Sequence, residues 1–448
     1  MTTFARKVLG ALPAPNLPTA GNNYSIAENL TNNSDKAAGK LDVQISPALS
    51  IFGRFGWRNL GTFDQPPLPL PSGGGGNGTI YVRNRQLALG STWVTGKASL
   101  FEIRLGWSTT QGGKNPPGLS SGSALDAYGL AGLPTDPQVS GGLPSENILG
   151  YTSSTSTPVF GRQSTNPQWQ YPTIWNPKVN YTWLMGRQSL KTGYEFQRLN
   201  VEVMDVNPLY GLDSYTGQFT RPAGAAANNV YNLADFMLGL PSQYAISILF
   251  VAQMGQNMHF AYFQDDIRMS DHLTANVGLR YEYATPMWDA SNRLTNFDPT
   301  TLTMLTAKDG STYNRALVKP DRNNFGPRLG LVYAVGPRTA LRGGWGVSYV
   351  HANRIGSANL LGINGPQVIR AVVNQIDPTS PASSRPSRAI RLASPIRRPS
   401  TLRRPLSAIS TRITIRARCR AGTRRSSMNS VTACWSTSRT WATTAATC

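Results

Sequence analysis

Hydrophobic and polar positions alternate with a period of two along most of the first ~380 residues, the spacing of strands whose side chains point to opposite faces. In "LTANVGLRYEY", Leu273, Ala275, Val277, Leu279, Tyr281 and Tyr283 fall on one face, and Thr274, Asn276, Gly278, Arg280 and Glu282 on the other. "TALRGGWGVSY" separates Leu341, Trp345, Val347 and Tyr349 from Arg342 and Ser348 in the same way. Further rows are Val179/Tyr181/Trp183/Met185, Phe101/Ile103/Leu105/Trp107 and Leu49/Ile51/Phe55/Trp57. The predicted strands come in pairs, with short turns expected near Ser46–Ala48, Val94–Ser99, Gly186–Ser189, Met269–His272 and Gly336–Arg338. Long connections separate the pairs, among them "DQPPLPLPSGGGGNG" and the stretch from Ser108 to Pro177. Short turns at one end and long loops at the other describe an up-and-down antiparallel sheet.

Two environments produce such alternation. A soluble sandwich buries its apolar face beneath a second sheet. A membrane barrel turns that face to lipid and its polar face to a wet lumen. Three features favour the barrel. The polar rows carry Arg, Glu, Lys and Asn; the apolar rows end in aromatics, as at a membrane interface; and the loop lengths are asymmetric. Lys191, Glu195, Arg280, Glu282 and Arg342 are therefore expected to face the lumen. The alternative is a secreted, soluble β-rich binding protein of adhesin or lectin-like kind.

Several segments resemble TonB-dependent outer-membrane receptors, in particular the Oar-like members. They are "AYFQDDIR" (261–268) with "LTANVGLRYEY" (273–283), "NRLTNFDP" (292–299), "NNFGPRLGLVYAV" (323–335), "LRGGWGVSYV" (341–350) and "SLKTGYEFQR" (189–198). The resemblance implies a cell outer-membrane location and a 22-stranded barrel with an N-terminal plug. It also implies energy-coupled uptake driven by the partner TonB. Neither plug nor TonB box is recognisable in this chain, and no signal peptide is expected at its start. About 11–14 strands of such a barrel are expected here, so the all-β barrel is read as incomplete. This gives an irregular segment over 1–39, a partial barrel over 40–382, and a separate tail over 383–448. Such a fragment is not expected to transport by itself. The substrate class stays open among siderophore, glycan, peptide and vitamin chelate.

Composition changes the picture mainly through that tail. The chain has 448 residues and a net charge of +21, yet 14 of its 43 Lys and Arg are arginines between Arg385 and Arg439, and no Asp or Glu follows Asp377. All three cysteines (Cys419, Cys434 and Cys448) also lie there, so the body has neither a disulfide framework nor a thiolate metal site. Read one nucleotide out of frame, with permissible codons chosen at the silent positions, Cys434 onward can decode as "LLVDVAYVGNHGSNL", the polarity pattern of a strand entering a turn. The tail is thus read as frameshifted and disordered. An Arg-rich arm for nucleic acid would explain the charge but not the loss of Lys, Asp and Glu with the arrival of Cys. No nucleic-acid partner is expected; outer-membrane lipid is.

No constellation supports an enzyme, a cofactor or a metal. His259, His272 and His351 are scattered, and "SGGGGNG" (72–78) lacks the Lys-Ser/Thr of a phosphate loop. Asp265 and Asp266 are neighbours on a strand and should point to opposite faces. The best candidate for ligand contact is the aromatic-rich text "NPQWQYPTIWNP" (166–177), read as a loop. Trp169, Tyr171 and Trp175 there offer stacking surfaces with hydrogen-bonding tips.

Overall fold

A computed structural model describes residues 1–19, 23–27, 30–73, 75–152, 160–351, 365, 367–377 and 379. The Arg-rich tail lies outside the described residues. In chain order the elements begin with α1 (Thr3–Gly10), β1 (Thr31–Ser46), β2 (Leu49–Asp64), β3 (Gly78–Gly96), β4 (Ser99–Asn115), α2 (Ala124–Tyr128) and β5 (Ser145–Ile148). There follow β6 (Gln168–Met185), β7 (Gln188–Met204), β8 (Leu212–Tyr215), α3 (Asn229–Leu238), β9 (Gln243–Ser247), β10 (Ala252–Arg268) and β11 (Leu273–Ala284). The last are β12 (Trp288–Asp289), β13 (Thr295–Asp298), β14 (Thr303–Thr306), α4 (Thr312–Ala316), β15 (Phe325–Gly336), β16 (Thr339–Gly346) and β17 (Arg370–Asn374).

One large antiparallel sheet runs in the order β1-β2-β3-β4-β6-β7-β10-β11-β15-β16, with the two-residue β12 as its eleventh strand, paired to β10. Every neighbour on that path is the next long strand in sequence, so the sheet is a pure meander. The tight turns close β1/β2, β3/β4, β6/β7, β10/β11 and β15/β16, at the five places where the alternation pauses. β1 and β16 are its two edges, and among the described residues they do not pair with each other.

The strands outrun the sequence expectation. β1 to β10 along the path are 16–19 residues long, whereas a tilted strand crosses a bilayer with about 9–11 residues. The extra length continues past the apolar rows toward the long loops. The 1–39 segment is also more ordered than expected. It contains α1, capped by the Thr2 side chain, and β1 begins at Thr31. Among the described residues, the last strand of the large sheet, β16, ends at Gly346, and β17 belongs to a different sheet.

The long connections build a second layer at one end of the sheet. A small sheet of order β17-β9-β8-β5 draws its strands from two connections and from the segment after β16, with β5 and β8 parallel. Helix α1 packs there: Phe4, Ala5 and Val8 are buried with Leu143, Ile148, Phe160, Tyr215 and Phe236. The 285–324 connection folds over the top of one sheet face, where Leu199, Met254, Met258 and Phe260 are buried against Met287, Leu294 and Leu317. That face is therefore the inward one. Among the described residues, no second layer covers the other face below its loop end: Leu41, Phe55, Leu89, Trp93, Ile103, Trp183, Phe263, Val277, Leu279, Leu331 and Leu341 are all more than two-fifths exposed. A sandwich would bury these side chains, so the soluble two-sheet alternative loses its physical basis. No helix among the described residues is long and apolar enough to cross a membrane, which says nothing about crossing by strands.

Candidate functional site

Strand register assigns the faces, because residues directly opposite each other share one. Asp266 pairs with Ser189 and Asn276, Gln264 with Lys191, Tyr262 with Arg280, and Phe260 with both Glu195 and Glu282. Following the pairs outward, Glu195 lies opposite Lys178, Lys178 opposite Arg104, and Arg342 opposite Val332, itself opposite Thr274. The register thus brings Lys191, Glu195, Arg280, Glu282 and Arg342 onto the same inward face. The two neighbouring aspartates separate. Asp266 is inward, while Asp265 lies opposite Leu190 and Val277 on the apolar face.

The inward face is a hydrogen-bonded polar floor. Asp266 accepts from Lys191 Nζ at 2.8 Å and Gln264 at 3.1 Å, and also from Asn276. Glu195 accepts from Asn176 at 2.9 Å and Gln197 at 2.7 Å. Arg280 Nε donates to Glu282 Oε1 at 2.6 Å, and His351 Nε2 lies 2.9 Å from Glu282 Oε2. The Arg280 guanidinium also sits 5.1 Å from the Phe260 ring centroid. Arg342 lines a cleft of about 350 Å³ with Asp266, Thr274, Asn276 and Val332. Arg54, Arg58 and Lys178 add further cations to this face. Asp266 and Asn276 entered the sequence reading only as one of two neighbouring carboxylates and as a polar-row position, Tyr262 and Asn180 were not singled out there, and His351 entered only as a scattered histidine. The register of the alternating rows was the signal for the first four. His351 follows the last strand and reaches the face only through the tertiary path.

The aromatic run Trp169, Tyr171 and Trp175 is placed differently from its sequence reading. Only 166–167 precede the strand; from Gln168 onward the segment is β6, paired on both sides. The odd positions make all three side chains outward. Trp169 Nε1 donates to Glu202 Oε1 at 3.0 Å, Tyr171 and Tyr81 share a hydroxyl contact of 2.6 Å, and Trp175 stands beside Trp107 with centroids 6.2 Å apart. They continue an outward aromatic band with Tyr194, His259 and Tyr283, in which His259 accepts or donates to the Tyr194 hydroxyl at 2.6 Å. A second band near the tight turns holds Trp93, Phe101 and Trp183. Along β6, Trp175 and Trp183 are eight residues apart, about 27 Å of strand. Two aromatic rows flanking an uncovered apolar belt of that height match the interfacial girdles of a barrel in lipid.

A family model described as "Outer membrane beta barrel domain" matches residues 1–429. This chain belongs to the outer-membrane β-barrel domain family. No curated protein matches it. Among solved structures, this β-barrel chain is similar to a mutant of the ferric enterobactin receptor PfeA from Pseudomonas aeruginosa, at 11% identity and TM-score 0.40, covering 78% of this chain and 37% of that one. For the ferric citrate transporter FecA the figures are 10%, 0.37, 72% and 37%; for the ferric-catecholate import receptor Fiu from E. coli K12 they are 11%, 0.40, 74% and 47%. The chain spans less than half the length of each of these proteins. Among the described residues, no three or more His, Cys, Asp or Glu come together as a metal site.

Proposed function

We propose that this chain forms part of the barrel wall of an outer-membrane TonB-dependent receptor of Oar-like kind, working in energy-coupled solute uptake. One observation carries the reading: ten consecutive strands keep an uncovered apolar face and a hydrogen-bonded polar face in continuous register. Only a bilayer on one side and water on the other satisfies both faces. The strand segments resembling TonB-dependent receptors support the family within that class. Lys191, Glu195, Arg280, Glu282 and Arg342 then line the aqueous side, and transport requires strands that pair with the exposed ladders of β1 and β16.

Single cysteines introduced in the full chain with Cys419, Cys434 and Cys448 replaced by Ser, incorporated into lipid vesicles, test this. Cysteines at Ile103, Val179 and Leu279 should react with lipid-phase probes and resist water-soluble maleimide. Cysteines at Glu195 and Asn276 should do the reverse. Uniform labelling by the aqueous reagent, with the chain soluble without detergent, would sink the reading in favour of a soluble binding protein.

A further inference from the structure

Arg83 and Arg85 place two cations on the uncovered face of the sheet. Arg85 lies opposite Trp57 and Thr109, and Arg83 opposite Asn59 and Gln111. Leu87 and Leu89, next along the same face of β3, belong to the apolar belt, with Leu87 opposite Phe55 and Trp107. Arg85 stands eight residues from Trp93, about 27 Å of strand, the spacing that separates Trp175 from Trp183 on β6. The pair therefore begins where the belt ends, on the loop side of the aromatic band. Arg83 leans further that way: its guanidinium carbon lies 5.9 Å from the ring centroid of Tyr81, two residues closer to the loops.

Both arginines are exposed, and among the described residues neither forms an ion pair. The four side chains opposite them carry no charge. On the same face, Asp35 lies opposite Asn59, two strands from Arg83, and Glu202, three strands away, accepts from Trp169. A long Arg side chain reaches from an apolar surface to its polar border, where a cation on a lipid-facing strand costs little. Two like charges at successive outward positions, about 7 Å apart along β3, repel each other and gain when an anion settles between them.

We propose that Arg83 and Arg85 bind the phosphate of a membrane lipid headgroup, whose acyl chains then lie against the belt at Leu87 and Leu89. The planar guanidinium fork matches phosphate oxygens in bidentate geometry, and an anionic membrane surface attracts exposed Arg and Lys. The Asn59 and Gln111 amides beside Arg83 supply neutral donors for the remaining oxygens. The occupant is a lipid rather than a free anion because the site is continuous with the apolar belt, bordered by Trp57, Leu87 and Trp107. This site rests on the reading of the uncovered face as the lipid face, and it adds the headgroup chemistry and the residues that take it.

The test uses the full chain with Cys419, Cys434 and Cys448 replaced by Ser and a fluorophore on Leu87→Cys, in phosphatidylcholine vesicles at neutral pH. A minor fraction of the lipid carries a nitroxide near the top of its acyl chain, under either a phosphatidic acid or a phosphatidylcholine headgroup. Phosphatidic acid is expected to quench more, with a local association constant about fivefold above that of phosphatidylcholine. Arg83→Gln/Arg85→Gln should bring the two to parity, while quenching by phosphatidylcholine reports that β3 still lies in lipid. Arg54→Gln/Arg58→Gln removes the same charge from the inward face of the neighbouring strand and should leave the preference intact; the arginines of 383–448 are common to every variant. An unchanged preference in Arg83→Gln/Arg85→Gln, or an equal loss in the inward pair, would overturn the proposal. So would its loss when sodium phosphate replaces sodium chloride at matched ionic strength, since the arginines then take free phosphate. Absence of quenching by phosphatidylcholine in the parent would instead show that Leu87 does not face lipid, and would remove the transport reading along with the site.

Discussion

The Tyr262 hydroxyl donates to Asn180 Oδ1 at 2.9 Å, reaching from β10 to β6 across the intervening strand β7. It can do so because the residue beneath the ring is Gly193. A Cβ there would stand 2.5 Å from both Asn180 Oδ1 and Tyr262 Cε1 and 2.8 Å from the Val179 carbonyl. The ring covers the bare backbone of the glycine, and the hydroxyl ties three strands together on the inward face.

Gly193→Val should therefore displace Tyr262 and break the tie. The expected loss is about 1–3 kcal/mol for overpacking, against about 0.5–1.5 kcal/mol for Tyr262→Phe, which removes only the hydrogen bond. Urea unfolding in lipid vesicles measures both. Equal stability of Gly193→Val and the parent would show that the ring does not lie over the glycine.

Phe263 and Gln264 are adjacent and face opposite ways: Phe263 is 54% exposed opposite Thr192 and Leu279, while Gln264 is opposite Lys191 and Gly278. Phe263→Arg should cost about 2–4 kcal/mol in a bilayer, the penalty for a cation near the midplane of the lipid face. Gln264→Arg should cost under about 1 kcal/mol, since its head stays in water beside Asp266. The ordering of the two variants in vesicles, and its disappearance in urea-free aqueous buffer, is the readout.

In the loop layer, the Asp289 carboxylate is fully buried and receives Arg293 Nε and Nη2, each at 2.8 Å, with the backbone N–H groups of Gln253 and Ser291 at 2.9 and 3.0 Å. Burial pushes its pKa up, but the Arg293 bonds and the backbone donors outweigh this and hold it below the usual carboxylate range. Its stabilisation is thus complete above the unfolded value of about 3.9 and lost as pH falls through the depressed folded value. Amide exchange at Gln253 and Ser291 should accelerate over that acid window. In Asp289→Asn the acid step should vanish, with a loss on the order of 3 kcal/mol at neutral pH. A step that persists in the variant would assign it elsewhere.

Helix α1 is held by Phe4 edge-on against Phe236 at 5.3 Å and by the Thr2 N–H bonded to the Met237 carbonyl at 2.8 Å. Phe236 is fully buried. Phe236→Ala should cost about 3–5 kcal/mol in the loop layer and release α1, so that trypsin cuts at Arg6 and Lys7 faster than in the parent. Unchanged cleavage times in folded protein would mean that α1 is anchored by other contacts.

The amino-acid sequence by itself determined the strands, their tight turns and the division into two faces. Leu273–Tyr283 shows why. A period of two is a local property, and a short turn fixes the register of its hairpin, so Arg280 and Glu282 cannot change faces without moving Leu279 and Tyr281 as well. What only the tertiary structure decided depends on partners far away in the chain. Trp169 and Tyr171 look like loop text between prolines, yet pairing to β4 on one side and β7 on the other draws them into β6. The parallel pairing of β5 with β8, the burial of α1 beneath α3, and the seating of His351 on Glu282 join segments that share no local pattern. Their free energy comes from apolar surface and polar groups that meet only after the long connections have folded together, and no periodicity in any one segment records such a meeting.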